Sequence, residues 1–184
     1  MTVSSTTNRA SLSGDGSTHS FAYGFKIFAD TDLTVIVRAS TGSETTKTLN
    51  THYVVTGAGE ASGGTVLFKY NTTSAGGSTS DAHYSATDYR PASGETVILL
   101  REQPLTQSLD MVANDPFPAA GFENSLDKLT FMVQQHEETL GRTFKVSKTN
   151  TISSSEFVDN ASTRASKTLG FDSSGDLATI ADFL

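Results

Sequence analysis

Four histidines, His19, His52, His83 and His136, are the residues of this chain best suited to metal or acid–base chemistry. Their spacing argues against both. No two stand in an H-x-x-x-H pattern and no carboxylate motif accompanies them, so neither a zinc site nor a histidine general base is expected within one chain. Carboxylates such as Asp15 with Asp30, or Glu137 with Glu138, cannot be placed across a substrate and read as solvated faces. Gly57-Ala-Gly59-Glu-Ala-Ser-Gly63 follows a strand but leads into another strand, so it reads as a turn and not as a nucleotide cradle. Ser13-Gly-Asp-Gly-Ser17 lacks both the lysine and the helix of a phosphate loop. Asn71-Thr-Thr73 and Asn160-Ala-Ser162 are glycosylation sequons only in form, because no secretory signal accompanies them. The chain has no cysteine, which removes disulfides, thiolate metal sites and thiol nucleophiles. The expectation is a protein with no catalytic residue, metal or cofactor.

Composition narrows the class further. The 184 residues suffice for one core-bearing domain and an appendage, yet only 36% are hydrophobic and 51 are serine or threonine, so the core must be small for the chain. A net charge of −7 with no basic stripe argues against a nucleic-acid backbone as partner. No apolar run approaches the ~20 residues of a membrane span, and Met1-Thr-Val-Ser-Ser-Thr-Thr lacks the apolar stretch of a signal peptide. Synthesis in a cytoplasm is therefore expected.

The strongest positive signal is a helix. Phe122, Leu126, Leu129, Val133, His136 and Leu140 follow one another at intervals of 4-3-4-3-4, a heptad seam with one polar occupant. One helix cannot bury its own stripe, and the 19 residues from Phe122 to Leu140 make a rod of about 28 Å that is marginal alone in water. Burying the five apolar members offers a gross ~8–15 kcal/mol per chain before ordering entropy is subtracted. Two or more copies of the helix are expected to meet along it, with amphipathic packing on the chain's own domain as the alternative. Phe131 and Met132 lie off the seam and are available for that packing, so both contacts can coexist. His136 at a threefold would bring several imidazoles to the axis, where they bind an ion, act as a pH-sensitive point, or simply fix register with water.

The elements before the helix read as strands. Phe21, Tyr23, Phe25 and Ile27 alternate with smaller or polar residues, and Leu33–Arg38, Lys47–Leu49, His52–Thr56, Gly64–Tyr70 and Glu95–Arg101 follow between Gly, Asn, Ser and Thr clusters. Six short strands at this spacing indicate an antiparallel sandwich or barrel. Asn71 to Gly94 is too long for a hairpin loop and reads as an exposed excursion carrying Tyr84 and Tyr89. Asp115-Pro-Phe-Pro118 marks the helix start and Gly141 offers a stop. Glu123 and Asp127 near its start and Arg142 at its end suit the macrodipole. Thr143-Phe-Lys-Val146 returns to alternation, and Phe171-Asp-Ser-Ser-Gly-Asp-Leu177 reads as a hairpin. Tyr84, Tyr89 and Phe171 are the candidate partner contacts.

Taken in order, Ser11–Phe21, Phe25-Lys-Ile-Phe28, Asp32-Leu-Thr-Val35, Leu49-Asn-Thr-His-Tyr-Val54, Gly63-Gly-Thr-Val66, Glu95–Arg101, Gln103-Pro-Leu-Thr-Gln107, Phe117-Pro-Ala-Ala120 and Leu126-Asp-Lys-Leu129 resemble a known arrangement. It is the virion-anchoring N-terminal domain of tail fibres from short-tailed, autographivirus-type bacteriophages. The resemblance implies a homotrimeric β domain docked on a tail, with a helix that starts the fibre shaft, and its motif residues are structural. The expected fold is thus mainly β: an antiparallel β-sandwich domain, one long heptad helix forming a three-helix bundle in a homotrimer, and a short β-rich C-terminal extension. The expected domains are an N-terminal arm (1–12), the sandwich (13–116), the trimerisation helix (117–142) and the extension (143–184). Two features depart from the family: residues 71–93 look like an insertion, and the sequence stops at Leu184 where long fibres continue into a shaft and a receptor-binding tip. The expectation is a short fibre or adaptor in the virion tail. Its partners would be itself, tail tube, nozzle or adaptor proteins, and a distal fibre or tailspike. A glycan-binding module or a depolymerase fragment is the alternative.

Overall fold

A computed structural model describes residues 3–112, 116–149 and 160–180. The chain divides into two compact units, Met1–Gly141 and Arg142–Leu184. In the first, β1 (Arg9–Ser13), β2 (Ser20–Tyr23), β3 (Leu33–Arg38), β4 (Glu44–Thr46), β5 (Tyr53–Thr56), β6 (Gly64–Phe68) and β7 (Thr96–Arg101) precede a single helix, α1 (Ala119–Leu140). All strand pairs are antiparallel. One sheet has the order β1-β7-β3-β4 and the other β2-β6-β5.

Alternation sets the register. In β3 the residues Leu33, Val35 and Val37 are buried while Thr34 and Ile36 are half-covered, and opposite them stand Arg101, Leu99 and Val97 of β7. A one-residue slip would turn this apolar row to the other face. Phe21 and Tyr23 of β2, Tyr53 and Val55 of β5, and Val66 and Phe68 of β6 meet the same core from the other sheet. Phe25 and Ile27 continue the β2 alternation into the core beyond the strand's end. The tight connection from β5 to β6 ends at Gly63, whose φ of +83° and whose Cα against the Tyr23 carbonyl leave no room for a side chain. At the β1–β2 turn, Ser17 and Thr18 amides donate to Asp15 Oδ1 at 2.8 and 2.6 Å, which holds the Asp15 carboxyl well below its usual range.

The expected fold class needs correction. The chain is mainly β with antiparallel sheets, but a two-layer sandwich is not what the described residues form. β4 is exposed at every residue and β1 is only partly covered, so β3 and β7 alone supply most of the four-stranded sheet's core side. These are two small sheets sharing a core. The three-helix bundle is not found either: α1 is one helix of 22 residues, and its buried positions, Asp127 and Phe131, face the chain's own β domain. The strand expected at Lys47–Leu49 forms earlier, as β4, and Arg9–Ser13 adds the edge strand β1. Thr143–Val146 makes no strand; Phe144 is fully exposed and finds no partner strand among the described residues.

The second unit contains the single turn α2 (Ala161–Arg164), capped by Asn160 Oδ1 accepting from the Thr163 amide at 3.0 Å, and the hairpin of β8 (Thr168–Phe171) with β9 (Leu177–Ile180). The hairpin is the one expected from the sequence. Asp172 accepts from the Ser174 and Asp176 amides and so shapes its turn. Asp115, at the expected helix start, and residues 150–159 and 181–184 of the expected extension lie outside the described residues.

Candidate functional site

α1 has two working faces, about 100° apart around its axis as consecutive residues must be. Asp127, Phe131 and Gln134 recur at intervals of four and three, like the seam, but on the side that meets the β domain. Phe131 sits 5.5 Å from the Phe28 ring, and the Arg101 guanidinium lies 3.7 Å above its face. Lys26 Nζ pairs with Asp127 Oδ2 at 3.2 Å, both side chains being largely buried. Around these, polar side chains bind backbone: Arg101 Nη1 donates to the Lys26 carbonyl at 3.0 Å, and the Gln103 amide donates to Gln135 Oε1 at 2.8 Å. Asn8 Nδ2 donates to the Gln134 carbonyl at 3.1 Å, and Arg101 Nη2 donates to Gln134 Oε1.

Arg101 is the centre of this clasp. It ends β7, is buried, and has a pKa pushed down to about 10 by that burial, so it stays charged at neutral pH. Asp32 supports it from one residue-layer away. Its Oδ2 accepts from the amides of Phe28 and Ala29 and from Gln103 Nε2, which fixes the segment carrying Phe28 and the residue next to the clasp. Toward the helix N-terminus the two parts diverge. A groove of about 560 Å³ opens there between α1 and residues 103–109, with Phe28, Leu105, Leu109, Leu129 and Met132 among its walls. Met132 is half-buried at this groove, so both residues off the seam do pack on the chain's own domain.

The seam itself is uncovered. Phe122, Leu126, Leu129, Val133 and Leu140 are between 41% and 67% exposed, and His136 is exposed with them. Phe117 adds a further exposed ring 5.4 Å from Phe122. A row of large apolar side chains on one side of one helix is a surface built to be covered. Its members lie on the same helix, whereas the candidate partner contacts do not gather. Tyr89 packs against the core and meets His52 edge-on at 4.8 Å; Tyr84 is half-buried and bridges to Tyr70. Phe171 is exposed on β8 in the second unit.

The fold brings together two histidines that are distant in sequence. His19 and His83 stack at 5.3 Å beside Tyr70, pinning the 71–90 excursion to the body of the domain, and burial together with His83 and Arg90 lowers the pKa of His19. Among the described residues, no three His, Cys, Asp or Glu side chains are grouped to hold a metal ion, and no helix is long and apolar enough to cross a membrane. Sequence reasoning missed the clasp. Asp127 was legible only as a helix-dipole residue, and its 4-3 spacing to Phe131 and Gln134 is the signal that would have revealed a second face.

No family model matches the chain. It is similar to a tail spike protein of Salmonella phage epsilon15, with 34% identity over 135 residues. The similarity takes in 73% of this chain but only 11% of the length of that relative. It supports a phage tail protein, structural in kind and located in the virion tail.

Proposed function

We propose that this chain is a homotrimeric tail adaptor: its β domain anchors to tail tube, nozzle or adaptor proteins of the virion, and its distal part connects to or presents a host-recognition fibre or spike. The observation that carries the proposal is the uncovered seam from Phe122 to Leu140 on a helix whose neighbouring face, about 100° round its axis, is already clasped to the β domain. The clasp makes helix and domain one body, so copies joined along the seam bring their β domains together. Anchoring then draws on several modest contacts at once, and avidity, not a deep pocket, supplies affinity. No turnover is required of any residue in this role. His136 sits within the seam, where a polar residue fixes register.

The similarity to a tail spike protein supports a tail protein, which is the setting this role requires. A glycan-binding or depolymerase reading would need aromatic rings free to stack on sugar, and Tyr89 is instead engaged by the core and by His52. Purified tails lacking this chain provide the test. Full-length protein and protein ending at Gly141 should both bind such tails, and only the full-length form should then recruit the distal component. Failure of the full-length chain to bind tails contradicts the adaptor role, and loss of tail binding on truncation reverses its polarity.

A further inference from the structure

The joint between β7 and α1 buries a guanidinium that makes no ion pair among the described residues. Arg101 is 2% exposed, yet its hydrogen-bond acceptors are a backbone carbonyl and the Gln134 amide oxygen, and its stacking partners are the Phe25 and Phe131 rings. All are neutral. A guanidinium taken out of water without a carboxylate is expensive unless another anion accompanies it. Asp127 is already paired with Lys26, and the buried Asp32 carboxylate accepts from the Phe28 and Ala29 amides and from Gln103 Nε2, so neither carboxylate is bonded to the guanidinium. One atom of the guanidinium is also left over: Arg101 Nε is a buried donor with no hydrogen-bond partner. Such an orphan calls for an explanation, because buried donors are almost always satisfied.

A cavity lies beside it. This partly open cavity of about 70 Å³ is lined by Arg101, Lys26, Asp127 and the exposed hydroxyl-bearing residues Ser4, Ser5 and Thr7, with Phe25 and Phe131 as apolar walls. Hydroxyl hydrogens rotate to face whatever occupies such a space. We infer that this cavity binds one small monovalent anion of the halide class, held by Arg101 and the N-terminal hydroxyls. The volume admits a halide with a water or two, and a single anion gives the Arg101 guanidinium the charged partner it lacks. Because the N-terminal segment, β7 and α1 all border the cavity, an anion there ties three parts of the clasp together. Its binding favours the docked helix by mass action.

Bromide is the probe, since it reports its own position by anomalous scattering. Crystals of the full-length protein grown in sodium bromide should show an anomalous peak within hydrogen-bond distance of Arg101 Nε. A water at that point with no anomalous signal overturns the inference. In solution, the folding constant measured in sodium bromide should rise about tenfold for each tenfold increase of free halide above its Kd, relative to sodium gluconate at equal ionic strength. Arg101→Met should abolish that difference. Equal stability of the wild-type protein in the two salts overturns the inference by itself, whether or not the variant folds.

Discussion

Replacing Phe131 by alanine should release α1 from the β domain. The ring is 2% exposed and makes two contacts that nothing else replaces: the Phe28 ring at 5.5 Å and the Arg101 guanidinium at 3.7 Å. Truncating a buried phenylalanine to alanine costs about 3–5 kcal/mol, of which a desolvated cation–π contact supplies about 2. Against a net stability of about 5–15 kcal/mol for a domain, that removes a large share. The loss falls on one joint, so it should show first as local opening. Urea unfolding followed by circular dichroism gives the total change, and hydrogen exchange resolved along the chain gives its location. The amides of α1 should lose protection before those of β3 and β7. A change no larger than about 0.5 kcal/mol, the range of surface substitutions, would refute the claim that Phe131 holds the helix.

Three further outcomes follow from the same geometry. Leu129→Asp with Val133→Asp should leave the β domain folded, because both side chains are more than half exposed in the single chain, but should abolish self-association; light scattering and circular dichroism together check this. His19 has a folded pKa below its ordinary 6.5, so the packed state prefers the neutral ring. Its contribution is intact above 6.5 and is lost as pH falls through the lowered value, with the stacked His83, Arg90 and Tyr70 facing it. Hydrogen exchange at Ser85 and Tyr89, corrected for intrinsic rate, should rise in acid, and a pH-independent rate contradicts this. Gly63→Ala should cost more than about 1 kcal/mol, because a Cβ at φ +83° would stand 2.1 Å from the Tyr23 carbonyl oxygen. A variant that melts like the wild type would show that the turn has other room.

Much of the β domain was legible because burial and alternation coincide in it. Leu33, Val35 and Val37, and their partners Val97 and Leu99, announce their strands by type and spacing. β1 was missed because Arg9-Ala-Ser-Leu-Ser13 is small and polar, and it becomes a strand only by pairing with β7. β4 is wholly exposed, so no apolar residue marks it. The opposite error occurred at Thr143–Val146, where alternation exists but no neighbouring strand takes it up. The sandwich expectation failed for a related reason: counting strands says nothing of how much of each sheet reaches the core. In α1 the apolar seam was plain, while the clasp was not. It is made of Asp127, Gln134 and Gln135, polar residues whose role depends on Lys26, Arg101 and Gln103, distant in sequence. Arg101, Gln103 and Asp127 all fall within the motifs that carried the tail-fibre resemblance, and helix docking is what they do in this structure.

The central claim is that the uncovered seam of α1 joins copies of this chain. Light scattering of the purified full-length protein at micromolar concentration tests it most directly. A mass of three times 19.5 kDa, falling to a single chain in the Leu129→Asp, Val133→Asp variant, is the predicted result. A clean 19.5 kDa species for the wild-type protein would contradict it.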